Sequence, residues 1–210
     1  MQSKMRVLVG STATCALLIA QGTSASAQEG PSVGRLSAGT EISAQGGPTV
    51  RELLEKCNHG TDYCGFHPRG DLNVYRGEYR LAGGATNCTP DRVSRWIDWS
   101  SSEYTMNNVG IEMSAEGGFG AAFKVGFKVS YNREWGWSTT KTDRVIAEIG
   151  PYRAVNVQTA PMKQTVSGDY ELHFGYKYYG HYYWYVYNVQ VTGPANDSWD
   201  IRVDPADANC

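Results

Sequence analysis

From Val109 to Trp137 the chain alternates apolar and polar residues with a period of two. Odd-numbered positions carry mostly Val, Ile, Met, Phe, Tyr and Trp, and even-numbered positions carry Glu, Lys, Ser, Asn and Gly. A two-residue period is typical of a β-strand, because successive side chains point to opposite faces. The stretch GGFG at residues 117–120 interrupts the run, so we expect the chain to fold back there as an amphipathic hairpin.

The even-numbered face of this hairpin also predicts its register. Antiparallel partners have residue numbers with a constant sum, and two opposite-charge pairs share the sum of 240: Glu112 with Lys128, and Glu116 with Lys124. Each pair, lying directly across the ladder, contributes about 0.2–1 kcal/mol. The predicted hairpin therefore has arms at residues 109–117 and 123–131 and a turn centred on Gly120.

The length and the two faces of the hairpin suit a membrane-crossing ribbon. Each arm has about nine residues, close to the roughly 9–11 that a tilted strand needs to span a bilayer, and an apolar face opposite a polar face fits lipid and lumen. Trp135 and Trp137 share the apolar parity and are predicted to lie at the membrane surface. A half-buried hairpin of a soluble sheet gives the same alternation, so both interpretations stay open. The predicted inserting residues are Val109, Ile111, Met113, Phe119, Phe123, Val125, Phe127, Val129 and Tyr131.

Elsewhere the pattern indicates strands, turns and one short helix. Thr49 with Glu52 three residues later predicts a capping box at the start of that helix. With no βαβ alternation and no internal repeat, the sequence predicts a single all-β, disulfide-bonded domain at residues 49–210. The predicted strands, separated by Gly, Pro and Asn turn signals, cover residues 73–81, 107–117, 123–135, 139–149, 153–159, 164–174 and 181–192.

The N-terminal residues have the features of a secretion signal. Lys4 and Arg6 precede an apolar run that is too short to span a membrane, and small residues follow up to Ala27. We therefore expect residues 1–27 to be a signal peptide and the mature protein to be secreted and extracellular. Residues 28–48 are rich in Gly, Ser, Ala and Pro, which predicts a flexible leader.

Loss of the signal leaves four cysteines in an oxidising compartment: Cys57, Cys64, Cys88 and Cys210. Three pairings are possible; we favour Cys57 with Cys64, which closes a small loop, and Cys88 with Cys210, which ties down the last residue. A metal site is the alternative, because His59 and His67 lie near the first pair, but these spacings match no zinc pattern. We expect disulfides, with no metal and no cofactor.

Residues 170–187 contain eight of the fourteen tyrosines. Aromatic residues occupy both parities, so one core face does not accommodate them all, and some rings are expected at a surface that contacts a glycan, headgroup or protein. A strand pair packed on both faces is the alternative. The predicted receptor or ligand contacts are Tyr176, Tyr178, Tyr179, Tyr182, Tyr183 and Trp184.

Charge and motifs exclude several functional classes. The chain has 19 basic and 21 acidic residues, which gives no basic stripe for nucleic acid. It lacks G-x-S-x-G, H-E-x-x-H and a Gly-rich phosphate loop. A hydrolase that uses His173 or His181, expected to meet across a turn, is the weakest hypothesis, and we expect the protein not to be an enzyme.

Several ordered segments together resemble a known family. They are CGFHP, NCT, IDWSSSEY, NNVGIEMSAEGGFGAAF, WSTTKTDRVIAEI and ELHFGYKYYGHYYWYV, and they resemble segments of small secreted bacterial proteins related to aerolysin and the ETX/MTX2 β-pore-forming toxins. The resemblance implies an elongated, twisted antiparallel β-sheet or sandwich that stores a hairpin and inserts it, with those of neighbouring subunits, as a pore. Carried over to this chain, the inserting arms are Val109–Gly117 and Phe123–Tyr131. The chain is short for such a toxin and has no evident separate receptor domain.

Two functional hypotheses follow from the sequence. In the first, a secreted aerolysin-like protein binds a target membrane, surface glycan or protein, self-associates into an oligomer and inserts residues 109–131 to form a pore. In the second, a soluble secreted binding or inhibitory module uses residues 170–187 to contact glycan or protein and forms no pore. Neither hypothesis involves nucleic acid.

Overall fold

The computed structural model describes residues 32–39 and 46–210, which belong to one compact unit, Pro31–Cys210. The predicted signal peptide lies outside the described residues. Strands make up most of the described chain, and nearly all of them pair antiparallel. The all-β class expected from the sequence is therefore confirmed.

Two long strands form the centre of the main sheet. β7 (Arg153–Tyr178) and β8 (His181–Ala206) pair antiparallel along most of their length. They are joined by a turn in which Tyr179 and Gly180 both have positive φ. Positive φ at both central residues is typical of a two-residue turn whose twist matches that of the flanking strands.

Shorter strands extend this sheet on both sides. β2 (Tyr63–Arg76) and β3 (Arg80–Asn87) pair antiparallel with β7. β1 (Val33–Ser37) pairs parallel with β8, and β5 (Met106–Asn107) pairs antiparallel with it. The leader predicted at residues 28–48 is thus wrong over β1, because the backbone of β1 bonds to β8.

A separate two-stranded sheet packs on the main one. It contains β4 (Val93–Tyr104) and β6 (Ser138–Ile149), paired antiparallel. At one end, buried Glu103 forms ion pairs with Arg80 of β3 at 2.8 Å and with Lys163 of β7 at 2.9 Å. At the other end, odd-numbered apolar side chains form a small core with β7: Ile97, Ala147, Ile149 and Val157.

The helix α1 (Val50–Lys56) is the one predicted from the capping box. The Thr49 hydroxyl accepts a hydrogen bond from the Glu52 backbone N–H at 3.1 Å, and the Glu52 carboxylate accepts one from the Thr49 N–H at 2.7 Å. Leu53 and Leu54 are fully buried in the main core. This prediction is confirmed.

A second helix, α2 (Gly118–Tyr131), corrects the central prediction from the sequence. The strands predicted at residues 107–117 and 123–135 are wrong, apart from Asn107 in β5: residues 108–117 form turns and loop, and most of the second segment is helical. The hairpin centred on Gly120 is therefore absent from this structure. Within the described ranges, no helix is long and apolar enough to cross a membrane.

The spacing of the phenylalanines in this segment explains why the alternation predicted strands where the structure has a helix. Phe119, Phe123 and Phe127 are spaced by four residues and are all buried in the main core. A spacing of four places side chains on one face of a helix, and it also places them on one face of a strand. The spacing of the phenylalanines is therefore compatible with both structures, although a helix places the intervening Val125 on its exposed side, and packing against the sheet selects the helix.

The remaining strand predictions differ from the structure mainly in their ends. Residues 139–149 match β6, while β4 was not predicted. Residues 153–159 and 164–174 are two parts of β7, and residues 181–192 are the first part of β8. Residues 73–81 span the end of β2 and the start of β3. The long strands continue through turn-like residues because each is paired along its length.

Both favoured disulfides are present, Cys57–Cys64 and Cys88–Cys210. The first joins the end of α1 to β2, and the second joins the end of β3 to the last residue of the chain. Oxidation leaves no thiolate for the alternative metal site. Among residues 32–39 and 46–210, no three His, Cys, Asp or Glu side chains are grouped closely enough to hold a metal ion.

Candidate functional site

The hairpin formed by β4 and β6 does not end in a turn. Its register places Val93 opposite Ile149, and paired residue numbers sum to 242 along the whole ladder. One step beyond the strands, the Thr105 backbone N–H donates to the Trp137 carbonyl at 2.8 Å. Residues 106–136 then leave the ladder and form the connection that contains α2.

This connection has the same apolar parity as the strands that flank it. In β4 and β6 the buried side chains are at odd positions, and exposed side chains predominate at even positions. Residues 109–131 also carry their apolar side chains at odd positions. Continued in the register of β4 and β6, the ladder pairs Ile111 with Tyr131 and centres its turn on Ala121. The odd positions are therefore mostly apolar in 93–99, in 145–149 and in the connection, whereas residues 100–103 and 138–144 between them are polar at both parities.

Packing, rather than intrinsic propensity, holds α2 in its helical form. Gly120 and Gly126 lie in its interior, where glycine costs about 1 kcal/mol relative to alanine, and Gly117 at the N-cap provides no side-chain bond. Val125 and Val129 are 63% and 80% exposed. The helix thus leaves two apolar residues in water that a continued ribbon would place on its apolar face.

An aromatic cluster anchors α2 to the main core. Phe123 is fully buried, with its ring 5.0 Å from that of Phe66 in β2 and 4.9 Å from that of Trp135. Trp137 contacts the same phenylalanine edge-on at 5.8 Å. Trp135 and Trp137, predicted at a membrane surface, pack against the helix in this structure because α2 draws them into the core.

Two tyrosine hydroxyls hold the ends of α2. Tyr170 in β7 donates to the Phe119 carbonyl at 2.9 Å, and Tyr131 donates to the Gly70 carbonyl of β2 at 2.8 Å. Burial raises the pKa of Tyr170 well above its usual value. Burial, and then the Asp71 carboxylate, also raise the pKa of Tyr131. Both phenols therefore remain protonated donors at neutral pH.

The predicted ion pairs are absent from this structure. Lys128 pairs with Glu134 rather than with Glu112, and the Lys128 ammonium lowers the pKa of the Glu134 carboxyl. Glu116 lies just before α2 and Lys124 lies on its exposed face, so neither faces the other across a ladder. Both predicted ion pairs are absent for the same reason: residues 118–131 form a helix and not a strand.

The residues predicted to insert into a membrane have three different environments. Within α2 their division follows the helix face rather than the strand parity, because only one side of the helix touches the sheet, whereas Val109, Ile111 and Met113 lie before the helix. Met113, Phe119, Phe123 and Phe127 are buried, Val109, Ile111 and Tyr131 are partly buried, and Val125 and Val129 are exposed.

Three of the six predicted contact residues are exposed, and the other three pack against neighbouring side chains. Tyr178 stacks on Phe174 with ring centroids 4.8 Å apart. Trp184 is buried, and its indole N–H donates to the Tyr178 carbonyl at 2.9 Å. Trp184 is therefore not a contact residue, because its ring is inside the core. The exposed members surround the turn between β7 and β8: Tyr176, Tyr179 and Tyr182.

Glu171 in β7 collects three partners on the opposite side of the main sheet from α2. Its carboxylate oxygens lie 2.7 Å from His173 Nε2 and 3.0 Å from His67 Nε2, and the Tyr185 hydroxyl donates to it at 3.0 Å. Burial opposes ionisation, but these hydrogen bonds and the charge of His173 lower the pKa of Glu171 overall. His181, expected to meet His173 across a turn, packs instead against a tryptophan ring.

Comparisons with known proteins give structural likenesses only. No known protein family and no curated protein matches the chain. Parasporin-2 of Bacillus thuringiensis is similar over 70% of this chain and 74% of its own, with TM-score 0.33 and 14% identity. A putative pore-forming toxin of Bacteroides vulgatus is similar over 70% and 56%, with TM-score 0.28 and 10% identity. A non-toxic crystal protein of Bacillus thuringiensis is similar over 70% and 84%, with TM-score 0.25 and 9% identity.

Proposed function

We propose that this protein is secreted, binds a target surface, self-associates and inserts the connection between β4 and β6 into a membrane as part of a pore. The observation that carries the proposal is the continuity of that connection with its flanking strands. Residues 109–131 keep the odd apolar parity of β4 and β6, and the Thr105–Trp137 hydrogen bond already continues their register.

The stored form of the inserting segment is helical in this proposal. α2 unwinds, and residues 106–136 add to the open end of the β4–β6 ladder, so that helical backbone hydrogen bonds are replaced by cross-strand ones. Backbone groups in lipid must be bonded within the protein, and a ribbon joined to neighbouring ribbons satisfies them. Val125 and Val129 then share the apolar face with the three phenylalanines.

The buried aromatic cluster explains why α2 is expected to unwind only at a membrane. Phe119, Phe123 and Phe127 are buried in the folded protein, and exposing each side chain to water costs about 1.5–3 kcal/mol. In water the helix is therefore the stable form. Contact of the apolar face with lipid tails offsets that cost, so insertion follows binding at the target surface.

A lysine scan of the exposed face of α2 tests the proposal with dye release from liposomes. Val129→Lys leaves the stored helix intact, because residue 129 is 80% exposed, but it places a charge on the lipid-facing side of the ribbon. Such a charge costs about 2–4 kcal/mol near the bilayer centre, so we expect dye release to fall at least about tenfold.

Ser130→Lys is the matched control for that variant. Ser130 is also exposed on α2, but its even position lies on the polar face of the ribbon, so dye release should persist. Equal loss in both variants, or no release by the unaltered mature protein under any lipid composition or protease treatment, would contradict insertion of this segment.

Pairs of cysteines measure the register of the inserted ribbon. Continuation of the β4–β6 ladder predicts disulfide formation between Ile111→Cys and Tyr131→Cys in liposome-bound protein. The charge-pair register predicts it between Ile111→Cys and Val129→Cys. Crosslinking of neither pair after dye release would show that the connection does not become a hairpin.

A second candidate function is the soluble binding module, favoured by the exposed ring cluster at the turn between β7 and β8. Tyr176, Tyr179 and Tyr182 offer amphipathic rings at one end of the main sheet, which suits contact with a surface. Cell binding that is lost on changing these three tyrosines to alanine, without any dye release, would favour this function over the pore.

A further inference from the structure

One face of the main sheet is covered by the helices, and its opposite face carries an unusual set of side chains. The covered face holds Phe66, Tyr170 and Leu172 in the core beneath α1 and α2. On the opposite face, the strands β1, β8, β7 and β2 present tyrosines, histidines, carboxylates and arginines in aligned rows. We call this surface the polar-aromatic face; it consists of Arg35, Tyr63, His67, Arg69, Asp169, Glu171, His173, Tyr183, Tyr185 and Tyr187.

The first row of this face is a line of aromatic rings across three strands. Tyr63 in β2, His173 in β7 and Tyr183 in β8 are paired in register. Ring centroids lie 4.7 Å apart between the first two and 4.6 Å apart between the last two. Together with β1, the four strands span about 14 Å at about 4.8 Å per strand, which is enough for a short chain of sugar rings.

A glycine lets the ring of Tyr63 lie flat on the sheet. Gly65 follows two residues later on the same face, and a side chain there would collide with the hydroxyl and ring of Tyr63. The ring therefore covers the glycine with one side, while the residue keeps 43% of its surface exposed. A flat, solvent-facing ring is the geometry that stacks against the C–H face of a sugar, because its π face carries partial negative charge.

Two hydrogen-bond networks fix the rest of the face. Glu171 holds His67, His173 and Tyr185 in place, as described above. Asp169 accepts from Arg69 and from the Asn188 backbone N–H, both at 2.9 Å. Groups whose positions are already fixed lose little conformational entropy when a ligand binds.

From this arrangement we infer that the polar-aromatic face is a saccharide-binding site, with the sugar stacked on Tyr63 and in contact with Tyr183. The exposed guanidinium groups of Arg35 and Arg69 provide donors for sugar hydroxyls or for the carboxylate of an acidic sugar, whereas the Nε2 atom of His67 is already bonded to the Glu171 carboxylate. A protein partner fits less well, since Val33 is the only aliphatic side chain in the paired rows and interface cores need apolar anchors. The inference does not depend on pore formation.

Glycan-array binding by the mature protein, followed by calorimetric titration of the best-bound oligosaccharide, tests the inference without membranes. Tyr63→Ala and Tyr183→Ala should each weaken that binding at least about tenfold and leave the thermal unfolding temperature close to that of the unaltered protein. Neutral and acidic glycans on the array distinguish the two kinds of sugar, and Arg35→Gln and Arg69→Gln should reduce binding of acidic glycans more than binding of neutral ones.

A second variant separates ring position from ring presence. Gly65→Ala keeps Tyr63 but displaces its ring, so sugar binding should fall as in Tyr63→Ala. Tyr104→Ala, which removes an exposed tyrosine from β4, is the matched control and should bind normally. Absence of binding to any glycan overturns the inference, as does binding that is unaffected in the Tyr63 and Tyr183 variants or cell binding that persists after enzymatic removal of surface glycans.

Discussion

The two antiparallel hairpins of this protein differ in how they end. β7 and β8 meet in a tight turn at Tyr179 and Gly180, with positive φ at both residues. β4 and β6 run side by side in an equally regular register, but residues 105–137 lie between them. The first hairpin has no further residues to pair, whereas the second has a ladder that additional residues can join.

The two hairpins also differ in how their apolar side chains are used. The β7–β8 pair buries its apolar side chains between the sheet, the helices and the smaller sheet. Beyond the β4–β6 pair, the same parity continues into α2, where Val125 and Val129 remain in water. In the proposed function, the closed hairpin therefore serves as the scaffold, and the open one, with its unused apolar positions, is the moving part.

Removing the largest anchor of α2 should have the greatest effect on stability. Phe123→Ala takes away a fully buried ring that contacts Phe66, Trp135 and Trp137, and we expect the free energy of unfolding to fall by about 3–5 kcal/mol. Urea denaturation measures the loss. Val125→Ala is the control and should change stability little, since that valine is mostly exposed; similar losses in both variants would mean that α2 is not anchored through one face.

An intermediate effect is expected from the turn that closes the scaffold hairpin. Gly180 has φ of +83°, so Gly180→Ala should cost about 1–2 kcal/mol through left-handed backbone strain. Gly150→Ala, at a glycine without positive φ where an added Cβ would meet only Arg153 Cγ at 3.7 Å, should be close to neutral. Thermal unfolding compares the two, and an unchanged Gly180 variant would show that the turn does not need its positive φ.

The smallest expected effect concerns Glu171 and depends on pH. Because its folded-state pKa is lowered, its ionised form stabilises the fold above the unfolded value of about 4.3, and this contribution is lost as pH falls through the folded pKa. Glu171→Gln should therefore reduce stability by less than about 1 kcal/mol at pH 7. The difference from the unaltered protein should shrink below about pH 4 in unfolding curves; a constant difference would assign the effect to packing.

Local chemistry allowed the correct prediction of α1 and of both disulfides. The side chains of Thr49 and Glu52 each accept a hydrogen bond from the other residue's backbone N–H. The four residues 49–52 are therefore enough to predict where the helix begins. Most of the strand content was also predictable, because β6 and parts of β7 and β8 alternate clearly. The helix α2 was not predictable, since a spacing of four is shared by helix and strand and only contacts with distant Phe66 and Tyr170 decide between them.

The polar-aromatic face was missed for a related reason. Aromatic residues of both parities in residues 170–187 correctly indicated that some rings lie outside the core. The sequence does not show that Tyr63 and His67, more than 100 residues earlier, complete the same surface through the pairing of β2 with β7. Gly65 gave the one local signal, as a glycine inside a strand often marks a close approach.

The disulfide between Cys88 and Cys210 encloses a loop with a sequence separation of 122 residues, and this loop contains both hairpins. A protease that cuts once within residues 108–117 would therefore leave two fragments joined as one molecule. Non-reducing electrophoresis would show a single band, and reduction would release two. The chain can thus be opened beside α2 without losing either arm of the β4–β6 hairpin.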